Sequence, residues 1–85
     1  MSELDDLRCK IDSLDKIIAE CYAQRLDVVR SIGEYKKNNN IAVLDSGRED
    51  LVYDNVKKYA AGYEKEICDL YKFIMDYSKN KQSEK

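Results

Sequence analysis

From the first turns of the chain the apolar positions fall at Leu4, Leu7, Ile11, Leu14, Ile18 and Cys21, then Val28, Ile32 and Tyr35, with spacings that alternate between three and four residues apart from one full heptad between Cys21 and Val28. That is a heptad seam, and it predicts a single helix over residues 4–37, about 50 Å long at 1.5 Å per residue. Gly33 lies inside the pattern at a cost of about 1 kcal/mol against alanine, which close packing, close ligand approach or nearness to the helix end would each explain. Over residues 38–46, NNNIAVLDS, the period breaks. Three asparagines suit a C-cap and turn, and residues 41–44 read as a short packed loop. A second helix is expected over residues 47–61, with Val52, Val56 and Tyr59 on one side. Ala61-Gly62 makes a short break. A third is expected over residues 63–80, with Ile67, Leu70, Tyr71, Ile74 and Tyr77 turned inward, and residues 81–85 read as a fraying polar tail. The fold class is therefore all-α, in one domain spanning residues 1–85. A 50 Å seam is most economically covered by a second copy of itself, which predicts a homodimer.

Composition sharpens this picture. The chain has no proline, only 3 glycines, and 38% charged residues of both signs, a helical rather than turn-rich profile. A net charge of -2 leaves no electrostatic footprint for nucleic acid, and Lys36-Lys37 is too short to form a basic stripe. The acidic opening MSELDD and the lack of a long apolar run point away from secretion and membrane insertion, leaving the cytoplasm as the expected compartment. Cys9, Cys21 and Cys68 lack metal-ligand spacing and read as buried thiols. With no histidine, Ser-His and Cys-His nucleophiles and histidine metal sites are excluded, and no glycine-rich phosphate loop is present. Any chemistry must run on Arg, Lys, carboxylates, hydroxyls and amides, and no metal site is expected.

Candidate groups are found where polar residues interrupt apolar stripes. Arg25 occupies the heptad slot between Cys21 and Val28, where an unpaired guanidinium is costly, so an anion should meet it; a core carboxylate or a register-setting role are the ordinary alternatives. Arg8 and Lys36 flank the same seam, one turn beyond Leu4 and Ile32. In the third helix Ile74, Ser78 and Gln82 are spaced by four, so an apolar stripe continues as a hydroxyl and then an amide. Each flank taken singly is ordinary in a helical bundle. Together with Arg48 they assemble cations and neutral hydrogen-bond formers suited to a small dicarboxylate-like anion. Ser46-Gly47-Arg48-Glu49 also fits an S-x-x-E capping box, with Ser46 capping the second helix.

The segment LDDLRCKIDSLD (residues 4–15), Arg25, the IGEYK segment ending at Lys36, the DSGRE segment from Asp45 to Glu49, and Ser78 with Gln82 resemble, in that order, the AroQ class of chorismate mutases. The resemblance spans nearly the whole chain, and it rests on the ordered set, because each piece alone is common. It implies an intertwined all-helical homodimer with two sites, each taking Arg8 from the opposite protomer. Arg8, Arg25 and Arg48 would hold carboxylates, with Ser78 assisting; Lys36 and Gln82 would donate to the ether oxygen; Glu49, with the Asp45 region, would receive the ring hydroxyl. Val29, Ile32, Val52 and Met75 would form an apolar wall. The implied substrate is chorismate and the product prephenate, on the way to phenylalanine and tyrosine, without cofactor. An isochorismate pyruvate lyase or an aminodeoxychorismate mutase on the same scaffold, and a non-catalytic helical dimerisation module, are the rival readings.

Overall fold

The computed structural model describes residues 2–83, and among them the secondary structure is entirely helical: α1 (Glu3–Asn38), α2 (Ser46–Tyr59) and α3 (Glu64–Gln82). The helix ends follow from local chemistry. Ser2 caps α1, its hydroxyl accepting from Asp5 N–H at 3.1 Å, and Glu3, Asp5 and Asp6 complement the positive end of the helix. At the other end Asn40 takes a positive φ of 57°, Ile41 N–H returns to the Lys36 carbonyl at 2.8 Å, and Asn40 N–H to that of Lys37 at 3.4 Å. This is a Schellman termination built on asparagine. It stops α1 two residues after Lys36 and folds the following loop back over that side chain.

The start of α2 corrects the capping expectation. Asp45, not Ser46, is the N-cap; its Oδ1 accepts from Arg48 N–H at 3.0 Å, and Ser46 is already the first helical residue. Either side chain can cap, but a carboxylate also opposes the helix dipole, and the helix starts one residue earlier to use it. Gly62, with φ 95°, makes the reversal between α2 and α3. The third helix runs through Gln82, so residues 81 and 82 are helical where a fraying tail was expected; Ser83 N–H closes the last turn on Lys79 and Asn80. Residues 84 and 85 of that expected tail lie outside the described residues.

Packing is confined to one half of the molecule. Helix α3 packs against both α1 and α2, and the buried side chains are Val29, Val56, Met75 and Ser78. From Ser2 to Cys21 every residue of the first helix is exposed in the single chain, including Leu4, Leu7, Ile11, Leu14 and Ile18. The thiols expected to be buried are therefore exposed at Cys9 and Cys21 and half-buried at Cys68. Tyr59, Leu70 and Tyr77, expected inward, are also exposed, Tyr59 at 83%. In the loop only Val43 is drawn in, while Ile41 and Leu44 face out. Cys9 apart, which lies off the seam, the common cause is that one chain has too little surface of its own to cover these stripes. Its accessible area is 6990 Å², against about 5,200 Å² for a compact monomer of the same mass. Its radius of gyration is 16.2 Å, against about 12 Å for a globule of this length. No helix among the described residues is long and apolar enough to cross a membrane.

Candidate active site

The C-terminal half of α1, the loop after it, the start of α2 and the end of α3 enclose a cleft of about 280 Å³. Its floor is apolar, from Val29, Ile32, Val43, Val52 and Met75. Its polar rim carries Arg25, Lys36, Arg48 and Lys79 as cations and Asp45 and Glu49 as carboxylates, a surplus of two positive charges, with Ser78 and Gln82 as neutral groups. Helical spacing explains the convergence. Arg25, Val29, Ile32 and Lys36 follow one another at four, three and four along α1, and along α3 Met75, Ser78 and Gln82 follow at three and four, with Lys79 four residues beyond Met75.

Arg25 is held by neutral groups. Its Nη1 donates to Ser78 Oγ, its Nη2 lies 3.9 Å from Met75 Sδ, and its Cζ stands 5.9 Å from the centroid of the Tyr71 ring. Among the described residues no carboxylate lies against it, so its charge is left for a ligand. Ser78, only 5% exposed, donates its single proton to the Ile74 carbonyl at 2.7 Å while accepting from Arg25. The hydroxyl is thus committed to aiming the guanidinium.

Lys36 is the junction of the site. Its Nζ donates to the Val43 carbonyl at 2.9 Å and to Gln82 Oε1 at 2.8 Å, which leaves one of its three N–H groups. An ammonium can only donate, so the amide oxygen of Gln82 must face it and the amide NH₂ is turned the other way, free to donate. Gly33 allows this contact: a Cβ built there would stand 2.6 Å from both Cα and the carbonyl oxygen of Gln82. Of the explanations open for Gly33, close packing is the one observed.

At the opposite wall Glu49 is half-buried, and its Oε1 lies 3.3 Å from Lys79 Nζ. It does not cap the helix. One turn on, Tyr53 has its phenol pKa pushed above the ordinary value, first by burial and then by the nearby Glu49 and Asp76 carboxylates and Cys68, with Lys79 acting in the other sense. Arg48 stands exposed at the rim, and the Asp45 carboxylate is committed to capping α2.

Seven of the eight residues singled out in the sequence therefore share one cleft: Arg25, Lys36, Asp45, Arg48, Glu49, Ser78 and Gln82. Arg8 does not join them; it is exposed on α1, about 25 Å along the helix from Arg25. Two participants were missed, Lys79 and the Val43 carbonyl. The first had a signal, since Lys79 completes the Met75–Ser78–Gln82 stripe at helical spacing; a backbone carbonyl has none.

Over residues 7–83 the sequence matches the family described as chorismate mutase type II. The chain belongs to that family of isomerases. Among curated relatives, a 4-amino-4-deoxychorismate mutase of Streptomyces venezuelae is 31% identical over 87% of this chain and 75% of its own length. A second protein of that name, from Streptomyces pristinaespiralis, is 33% identical over 71% of this chain and 46% of its own. A chorismate mutase of Methanocaldococcus jannaschii is 31% identical over 68% of this chain and 59% of its own. Against the last two, this chain spans about half the relative's length. No solved structure matches the chain significantly. The type II family match covers α1 from Leu7, the loop, α2 and α3, so every cleft-lining residue lies inside it.

Proposed function

We propose that this chain is a chorismate mutase that rearranges chorismate to prephenate, the committed step toward phenylalanine and tyrosine. The observation that carries the reading is the Lys36–Gln82 pair: an ammonium with one free proton and an amide fixed with its NH₂ outward, side by side over an apolar floor. In the reaction one C–O bond breaks as one C–C bond forms within the same molecule, so the protein has no proton to move and no covalent bond to make. Its tasks are two. It must hold a flexible dianion with its enolpyruvyl chain folded over the ring, which fixes the reacting carbons in near-attack geometry. It must also meet the negative charge that grows on the ether oxygen as the bond opens, with donors that gain more in the transition state than in the substrate.

Arg25, aimed by Ser78, and Arg48 serve the first task as carboxylate clamps; Lys36 and Gln82 serve the second. Glu49 accepts from the ring hydroxyl beside the Asp45-capped start of α2. The cation surplus of two supplied by one chain already matches the charge of the substrate, before the partner's Arg8 is added. No cofactor is needed by this scheme.

The site is completed by a second copy of the chain. Support comes from the free half of α1, whose apolar residues are all exposed, and from a groove of about 470 Å³ between α1 and α3, lined by Ile18, Cys21, Tyr22, Leu70, Phe73 and Tyr77 among others. The surplus of accessible surface, about 1,800 Å² per chain, is what an obligate dimer interface removes. An antiparallel pairing of the two arms delivers the partner's Arg8 to the cleft that lacks it. Mixing tests both parts of the proposal. Arg8→Ala and Arg25→Ala should each be nearly inactive in converting chorismate to prephenate, while co-refolding them in equal amounts should restore about a quarter of the wild-type activity, because half of the heterodimer's sites are intact. No recovery, together with sedimentation as a monomer, would refute the shared site.

A second reading, rearrangement of 4-amino-4-deoxychorismate, draws on the names of the two Streptomyces relatives. The two substrates differ in one ring substituent, which is a hydroxyl in one and an amine in the other. Product analysis with each separates them.

A further inference from the structure

Glu49, the acceptor for that ring substituent, is not a free carboxylate. Lys79 Nζ stands 3.3 Å from its Oε1, and both side chains line the cleft, at 38% and 25% exposure. Lys79 is steadied from its own helix by Asp76, whose Oδ1 is 3.8 Å away and whose side chain is largely in solvent. Two further charged groups of the cleft belong to the start of α2: the cation Arg48, next to Glu49 in sequence, and Asp45, whose carboxylate caps the helix.

We infer that Lys79 is a specificity-determining residue: by pairing with Glu49 it selects a neutral hydroxyl, and disfavours an ammonium, on the ring carbon that faces α2. The inference rests on the chorismate reading above. A lone carboxylate in a half-buried wall attracts an ammonium far more strongly than a hydroxyl. Once Lys79 neutralises it, that advantage is gone, while the second carboxylate oxygen still accepts a hydrogen bond from a hydroxyl. An amine-bearing substrate would instead bring a second ammonium within about 6 Å of Lys79, with Glu49 already paired and the Asp45 carboxylate engaged in capping α2. Discrimination of this kind comes from the repulsive element as much as from the attractive one. Two observations carry the assignment independently of any relative: the ion pair itself, and the position of Lys79 on the same helical stripe as Ser78 and Gln82, which obliges its side chain to share their cleft.

The test measures dissociation constants and kcat/KM for chorismate and 4-amino-4-deoxychorismate on the full chain and on Lys79→Met and Lys79→Arg. The Met variant keeps the apolar stem and removes the charge; its preference for chorismate over the amine should fall about tenfold or more, chiefly through tighter binding of the amine. Lys79→Arg should retain the wild-type preference. Glu49→Gln is expected to move the ratio the other way, because it leaves Lys79 unbalanced, and it serves if Lys79→Met does not fold. A preference unchanged within about twofold in both charge-removing variants, or a wild-type protein that binds the amine better, overturns the role of Lys79. Failure of the reaction assignment has a different signature, a wild-type protein that makes no prephenate, and the ratio of dissociation constants still tests Lys79 in that case.

Discussion

Gly33→Ala sets two physical effects of opposite sign against each other. Judged as a helix position alone, alanine should stabilise α1 by about 1 kcal/mol. The structure places the new methyl 2.6 Å from two backbone atoms of Gln82, the Cα and the carbonyl oxygen, and backbone cannot rotate out of the way. Relief requires the end of α3 to move outward by about 1 Å to reach ordinary van der Waals separation. Overpacking of this kind costs about 1–3 kcal/mol, so the net change is a loss of about 0–2 kcal/mol, not a gain. The effect on turnover is larger. A 1 Å displacement stretches the 2.8 Å contact between Lys36 Nζ and Gln82 Oε1 beyond hydrogen-bond range and releases the amide from its fixed orientation. Misplacement on that scale lowers kcat by about a hundredfold. Thermal melts by circular dichroism and a continuous assay of chorismate disappearance measure both quantities on one preparation. A variant that melts higher than wild type with kcat unchanged would refute the close approach and the positioning argument together.

Other variants address single contacts. Asp45→Ala should cost about 1 kcal/mol of stability through loss of the α2 cap, with Ser46→Ala nearly neutral, and reversed effects in urea titrations would contradict the observed cap. Gln82→Glu should pair its carboxylate with Lys36 and lose its donor, so activity should be nearly absent at neutral pH and recover partly in acid as the new carboxyl is protonated; a flat pH–rate profile would show that this side chain does not face the breaking bond. The surface pair Lys65–Asp69 holds the Asp69 pKa below its ordinary value, through the hydrogen bond from Lys65 and then its charge, and holds that of Lys65 above. Asp69 therefore contributes stability above its unfolded pKa and loses it as pH falls through the folded one, while Lys65 contributes below its unfolded pKa and loses it as pH rises through the folded one. Carboxyl titration by NMR should find the Asp69 shift shrinking at high salt, and a salt-independent value would contradict an exposed pair.

The parts of this design that were legible in the chain are those written as periodicity. The seam from Leu4 to Tyr35 located α1 to within a residue at each end, because spacings of three and four over nine apolar positions, interrupted only at Arg25, fit no other regular structure. The same arithmetic placed Arg25, Lys36, Ser78 and Gln82 on converging faces. What could not be read was the choice between equivalent local options. Asp45 and Ser46 are both good caps in adjacent positions, and only the folded backbone decides between them. Gln82 lies near the end of a polar run that looked frayed, yet it is anchored by contacts to Lys36 and Gly33 that are more than forty residues away in sequence. Cys21 follows the apolar pattern faithfully, but pattern reports which face wants cover, and its own chain does not supply it; Cys9 lies off that seam, on the opposite side of the helix.

Lys36 joins three separately folded segments at one nitrogen: the last turn of α1, the loop at Val43 and the end of α3. Release of any one of them withdraws a tether, so the ammonium is held in place only while the loop and both helix ends are simultaneously closed. Heat or denaturant should then extinguish turnover at the first local opening, ahead of the loss of helical signal, and the gap between the two midpoints would be a direct reading of how loosely that knot is tied.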